Sequence, residues 1–124
     1  MHDGTRDEVN VSFPASPGFS HIGRVAVAGL ALRLGVDIGD VEKLRLAVDQ
    51  SVQALHGPGR IHLSACWEPS QLLITIDNPD AWIDDSQSAT VAAALEEMVD
   101  KVELQASRIH LTLAGGSKGL VPLG

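Results

Sequence analysis

Two short runs of clearly alternating residues, set apart by only two residues, constrain this chain more than any other feature. Ile61, Leu63 and Ala65 alternate with His62, Ser64 and Cys66, and beyond Pro69-Ser70 the same rhythm returns in Leu72, Ile74 and Ile76. A period of two is that of a strand with one buried face, and so short a break predicts an antiparallel hairpin. One apolar face of a hairpin needs a cover, so the rest of the chain must supply a second layer.

The material for that layer lies on both sides. Glu8 to Phe13 alternates as a further strand ended by Pro14. Ser16-Pro17 then reads as a helix N-cap and first helical position ahead of a run from Phe19 to Leu34 that Gly35 can terminate. A second helix begins near Asp37 or Asp40 and ends near His56, where Gly57-Pro58-Gly59 stops it. After the hairpin, Asn78 to Ser86 is polar and turn-rich, Ser88 to Val99 is helical, and Lys101 to Gln105 with Arg108 to Leu113 forms a second hairpin turned at Ala106-Ser107. The order β-α-α-β-β-α-β-β predicts an α+β two-layer sandwich, a mostly antiparallel sheet covered by about three helices. Residues 1–7 are expected to be a flexible N-terminus, 8–114 a single domain, and the glycine-rich 115–124 a mobile tail.

Composition narrows the partners. Nine Lys plus Arg against sixteen Asp plus Glu leave a net charge of −7, which disfavours nucleic acid and anionic membrane surfaces and suits a basic partner. No apolar stretch approaches the ~20 residues needed to span a bilayer, and Met1 to Asn10 has no apolar signal-peptide core. A cytoplasmic location is the expectation. The single Cys66 cannot form an internal disulfide and reads as a buried small hydrophobe. With no Tyr, two Phe and two Trp, base-stacking platforms are not expected.

On the second helix, Val41, Leu44, Val48, Val52 and Leu55 share one face at 100° per residue and form its core stripe, leaving Leu46, Gln50 and Ala54 on the far side. The segment Leu44-Arg45-Leu46-Ala47-Val48-Asp49-Gln50-Ser51-Val52 resembles the pattern L-x-L-A-V-D-E-[AV]-V-x-N of the anti-sigma-factor serine kinases, members of the histidine-kinase-like ATPase (GHKL) superfamily. Val9 to Ala15 looks like that family's first strand, and Phe19 to Leu34 like its first helix, with Arg24 at a commonly basic position. Ile74-Thr75-Ile76-Asp77 resembles the strand leading to its adenine-binding Asp, and Met98 to Glu103 its L-M-D-E-V-E segment. The resemblance spans 8–114 and implies a histidine-kinase-like ATPase fold.

The departures from that pattern matter as much. Gln50 stands where the family has a general-base Glu, and an amide cannot accept the proton. Ala54 stands where an Asn ligates Mg. Asp77 is followed by Asn78-Pro79-Asp80 and not by a Gly-rich box, and little chain remains for a phosphate lid. The resemblance therefore implies a degenerate ATP site with no catalytic residue, no metal ligand and Asp77 as a vestige of adenine binding. The expected protein is a bacterial regulatory domain without a cofactor that binds a sigma factor or an anti-anti-sigma antagonist, and homodimers are common in such a family. The alternatives are an active ATP- and Mg-dependent serine kinase using Asp77, and a structural dimerisation domain.

Other residues carry weaker signals. The five histidines, His2, His21, His56, His62 and His110, lack metal-ligand spacing and read as surface or helix-capping residues. Asp77, Asp80, Asp84 and Asp85 lack the Gly and Glu of an EF-hand loop and read as a solvated segment. Trp82 among them either plugs the core or anchors a partner, and core plugging is the expectation.

Overall fold

A computed structural model gives the placement of residues 8–68 and 70–114. The termini expected to be flexible, His2 and Pro69 lie outside the described residues. Strands β1 (Glu8–Pro14), β2 (Arg60–Glu68), β3 (Gln71–Asp77), β4 (Lys101–Gln105) and β5 (Arg108–Ala114) form one antiparallel sheet in the order β1-β2-β3-β5-β4. Helices α1 (Ser20–Arg33), α2 (Ile38–Ala54) and α3 (Asp85–Glu96) supply the second layer, and the chain is an α+β two-layer sandwich.

The alternation in the sequence sets the register. Ile61 pairs with Phe13, Leu63 with both Val11 and Ile76, and Ile74 with Leu111. All these residues stand on the face packed against the helices. The hairpin joins Glu68 to Gln71 and turns through Ser70 at φ 67°. β5 inserts between β3 and β4, so β4 runs parallel to β3 without pairing with it, and α3 makes the crossover that such a pair requires.

Each helix end has a local cause. Asp37 caps α2 through Oδ2, which accepts from the Gly39 N–H at 2.9 Å. At the other end of the α1–α2 turn, Gly35 adopts φ 85°, its N–H donates to the Leu32 carbonyl and the Val36 N–H to that of Ala31. That is a Schellman closure, with Val36 buried beneath it. The α2 stripe lies against the sheet as its periodicity predicts, with Val41, Leu44, Val48, Val52 and Leu55 all buried.

Three local expectations are corrected. Ser16-Pro17 does not cap α1: Pro17–Phe19 forms a 3₁₀ turn closed by the Phe19 N–H on the Ser16 carbonyl, and α1 starts at Ser20 with no side-chain cap. α3 begins three residues earlier than Ser88 and stops before Val99. The Asp84 carbonyl accepts from Gln87 and Ser88, while Asp100 is already tied to β5 by its N–H on Thr112 O. Cys66 is half-buried on the open face of the sheet, because it is out of phase with Ile61, Leu63 and Ala65.

Candidate functional site

The far side of α2 lines a groove of about 550 Å³ whose other wall is the first half of α3. Gln50 and Ala54 lie there, opposite the core stripe, as the helical phase requires. Leu46 stands at its mouth, and Ser86, Gln87, Thr90 and Val91 form the α3 wall. Among the described residues that line the groove, Asp49 is the one carboxylate and His56 the one imidazole. Asp49 accepts hydrogen bonds from Ser20 Oγ at 2.9 Å and Gln53 Nε2 at 3.0 Å. Ser20 comes from α1, so this carboxylate also ties α1 to α2.

A nucleoside triphosphate in this groove would face a carboxylate and no Lys or Arg among the described residues that line it. Bringing multiple negative charges beside an existing one without a cation is unfavourable. Gln50 supplies amide donors but no base, and Ala54 supplies no ligand atom. Among the described residues, no three His, Cys, Asp or Glu side chains are close enough together to hold a metal ion. Arg24, on α1 one turn beyond Ser20, does not line the groove; its Nε is buried and makes no hydrogen bond.

Asp77 is not in the groove. It follows Ile76 at the end of β3 and points to the face of the sheet opposite the helices, level with His62 on β2 and Arg108 on β5. There it borders a shallow depression of about 350 Å³ against the β4–β5 turn. The helix-facing position at this strand end belongs to Asn78, which is fully buried. Its Nδ2 donates to the carbonyls of Leu55 at 2.9 Å and Pro58 at 3.1 Å, and its Oδ1 accepts from the Asp80 N–H at 3.0 Å. In sequence Asn78 falls in the polar, turn-rich stretch from Asn78 to Ser86, which hides this role. The signal was present, since Leu72, Ile74 and Ile76 extend in phase to residue 78.

Trp82 does not plug the core. It is 70% exposed, and Ile83 is the buried residue of this segment. The Ile83 N–H donates to the Ala106 carbonyl at 2.8 Å, which holds the buried Ile83 to the β4–β5 turn while Trp82 beside it stays in solvent. Asp80, Asp84 and Asp85 are exposed, as a solvated segment requires. Of the histidines, His21, His56 and His62 are exposed, and His56 Nδ1 reaches the Gln53 carbonyl at 2.6 Å at the end of α2. His110 is half-buried on the open sheet face, with Nδ1 at 3.1 Å from Thr75 Oγ1. No helix among the described residues is long and apolar enough to cross a membrane.

Compared with known proteins, the chain matches no family model, and no curated protein matches its sequence significantly.

Proposed function

We propose that this chain is a bacterial cytoplasmic regulatory domain related to the anti-sigma-factor serine kinases, with its ATP site lost and its scaffold kept for binding a protein. The implied partner is a sigma factor or an anti-anti-sigma antagonist. The observation that carries the reading is the composition of the α2–α3 groove. It presents Gln50, Ala54 and Asp49 where a kinase of this kind would need a base, a metal ligand and a neutral or cationic bed for phosphates. The position of Asp77 supports the same reading, because it lines a separate depression and not the groove that holds Gln50 and Ala54. The excess negative charge of the chain favours a basic partner surface.

The test has two arms. Thermal unfolding with Mg-ATP at millimolar concentration is expected to leave the melting temperature unchanged. A ligand held at 100 times its Kd adds about 2.7 kcal/mol, enough to raise the melting temperature by several degrees. A Mg-dependent rise of that size would favour an active nucleotide site. Calorimetric titration with sigma factors and antagonist proteins encoded in the same genome is expected to give saturable binding without ATP. Failure of all of them would remove the assignment of partner class.

A further inference from the structure

Trp82 is a large aromatic side chain standing in solvent on a segment that is fastened on both sides. Before it, Asn78 binds the carbonyls of Leu55 and Pro58, and Ser107 Oγ donates to the Ala81 carbonyl at 2.6 Å. After it, Ile83 is buried and bonded to Ala106. The backbone that presents the indole is therefore already ordered, and a partner would not have to order it on binding. An exposed Trp costs the free protein the stabilisation its burial would give, and Trp is the residue type most enriched at the energetic centres of protein interfaces.

The surroundings specify what would cover it. Asp80, Asp84 and Asp85 flank Trp82 and are exposed, and among the described residues no ion pair engages them. Positions 61–100 carry eight Asp or Glu and not one Lys or Arg. From Asp85 the chain passes directly into Ser86 and Gln87, which line the α2–α3 groove. We infer that Trp82 with Asp80, Asp84 and Asp85 is a docking surface for an Arg- or Lys-bearing segment of a partner protein. A guanidinium or ammonium group stacks on the indole face while the carboxylates accept its N–H donors. The inference deepens the proposed function and rests on it only in taking the partner to be a protein.

The probe is a short fluorescein-labelled peptide of alternating Arg and Ala, titrated with the full chain and followed by fluorescence anisotropy at physiological salt. The unmodified chain is expected to bind it, and Trp82→Ala to weaken binding by about tenfold or more. The triple variant Asp80→Asn, Asp84→Asn, Asp85→Asn is expected to do the same. A second triple variant, Glu42→Gln, Glu96→Gln, Glu97→Gln, removes as much charge elsewhere and is expected to change affinity by less than about twofold. All these positions except Trp82 are exposed carboxylates, and melting curves verify that each variant is folded. No binding by the unmodified chain, equal binding by Trp82→Ala, or equal weakening by the two triple variants would each overturn the inference. A sigma factor that binds the unmodified chain and Trp82→Ala equally well would overturn this surface and leave the functional reading intact. Trp82-dependent peptide binding by a chain that binds no sigma factor or antagonist would do the reverse.

Discussion

Asn78 illustrates how much one polar side chain can organise when it is fully buried. It joins the end of β3 to the end of α2 and to the Gly57-Pro58-Gly59 turn, while its own N–H donates to Ser107 O in the β4–β5 turn. The Leu55 carbonyl in particular would otherwise need water in a place that excludes it. Replacing Asn78 with Ala leaves the carbonyls of Leu55 and Pro58 and the Asp80 N–H without their partner. With the Leu55 carbonyl left unpaired in the interior and the other two partners only part-buried, Asn78→Ala is expected to destabilise the chain by about 1–3 kcal/mol. Urea unfolding measures this, and a midpoint equal to that of the unmodified chain would show that water replaces the amide. The variant should also loosen the Trp82 segment, since the fastening on one side is gone.

At the scale of elements, α1 carries two glycines that its packing treats in opposite ways. Gly23 faces inward, where an added Cβ would stand 3.1 Å from Leu63 Cδ1 and 3.3 Å from both Phe13 Cζ and Val48 Cγ1. The helix approaches the sheet this closely because that atom is missing. Gly29 is on the outer side, with nothing within 4 Å of the position its Cβ would take. Gly29→Ala is therefore expected to stabilise the chain by about 0.5–1 kcal/mol through helix propensity alone. Gly23→Ala gains the same propensity but must push three well-packed side chains, at a typical cost of about 1–3 kcal/mol. Paired melting curves decide: opposite signs are expected, and two equal stabilisations would mean that α1 can move away from the sheet freely.

The same contrast explains what could be read from the sequence. The hairpins and the phase of α2 were legible because periodicity in Ile61 to Ile76 and Val41 to Leu55 records burial directly. The boundaries of α3 and the orientation of Trp82 were not, because bonds between residues distant in sequence decide them: Asp100 N–H on Thr112 O, and Ile83 N–H on Ala106 O. The α2 side of the groove was legible from the helical phase of Gln50 and Ala54. Its α3 wall was legible only in part: Thr90 and Val91 fall in the expected helix, whereas Ser86 falls in the stretch read as polar turn and Gln87 in neither. Asp77 and Asn78 differ by one position, and in a strand one position exchanges the two faces of the sheet.

Across the whole molecule, the arrangement separates parts that nucleotide chemistry would need together. Gln50 and Ala54 line the groove between α2 and α3, Asp77 faces the other side of the sheet, and no Lys or Arg among the described residues lines the groove. This separation predicts the outcome of an attempted repair. Gln50→Glu with Ala54→Asn places a carboxylate and an amide oxygen one helical turn apart on the same side of α2, as a base and a Mg ligand would require. The double variant is nevertheless expected to transfer no phosphate. It adds a second carboxylate beside Asp49, while the groove still lacks the donors that neutralise a transferring phosphoryl group. The loss of such a preorganised donor costs on the order of 10²-fold in rate. Incubating the unmodified chain and the double variant with radiolabelled ATP and a candidate antagonist protein, then assaying for phosphoserine, tests this. Transfer by the unmodified chain would mean that a base and phosphate donors exist outside the groove. Transfer by the double variant alone would mean that backbone N–H groups at the start of α3 suffice to hold the phosphates, and that the loss of two α2 side chains, and not the loss of the whole site, separates this chain from a kinase.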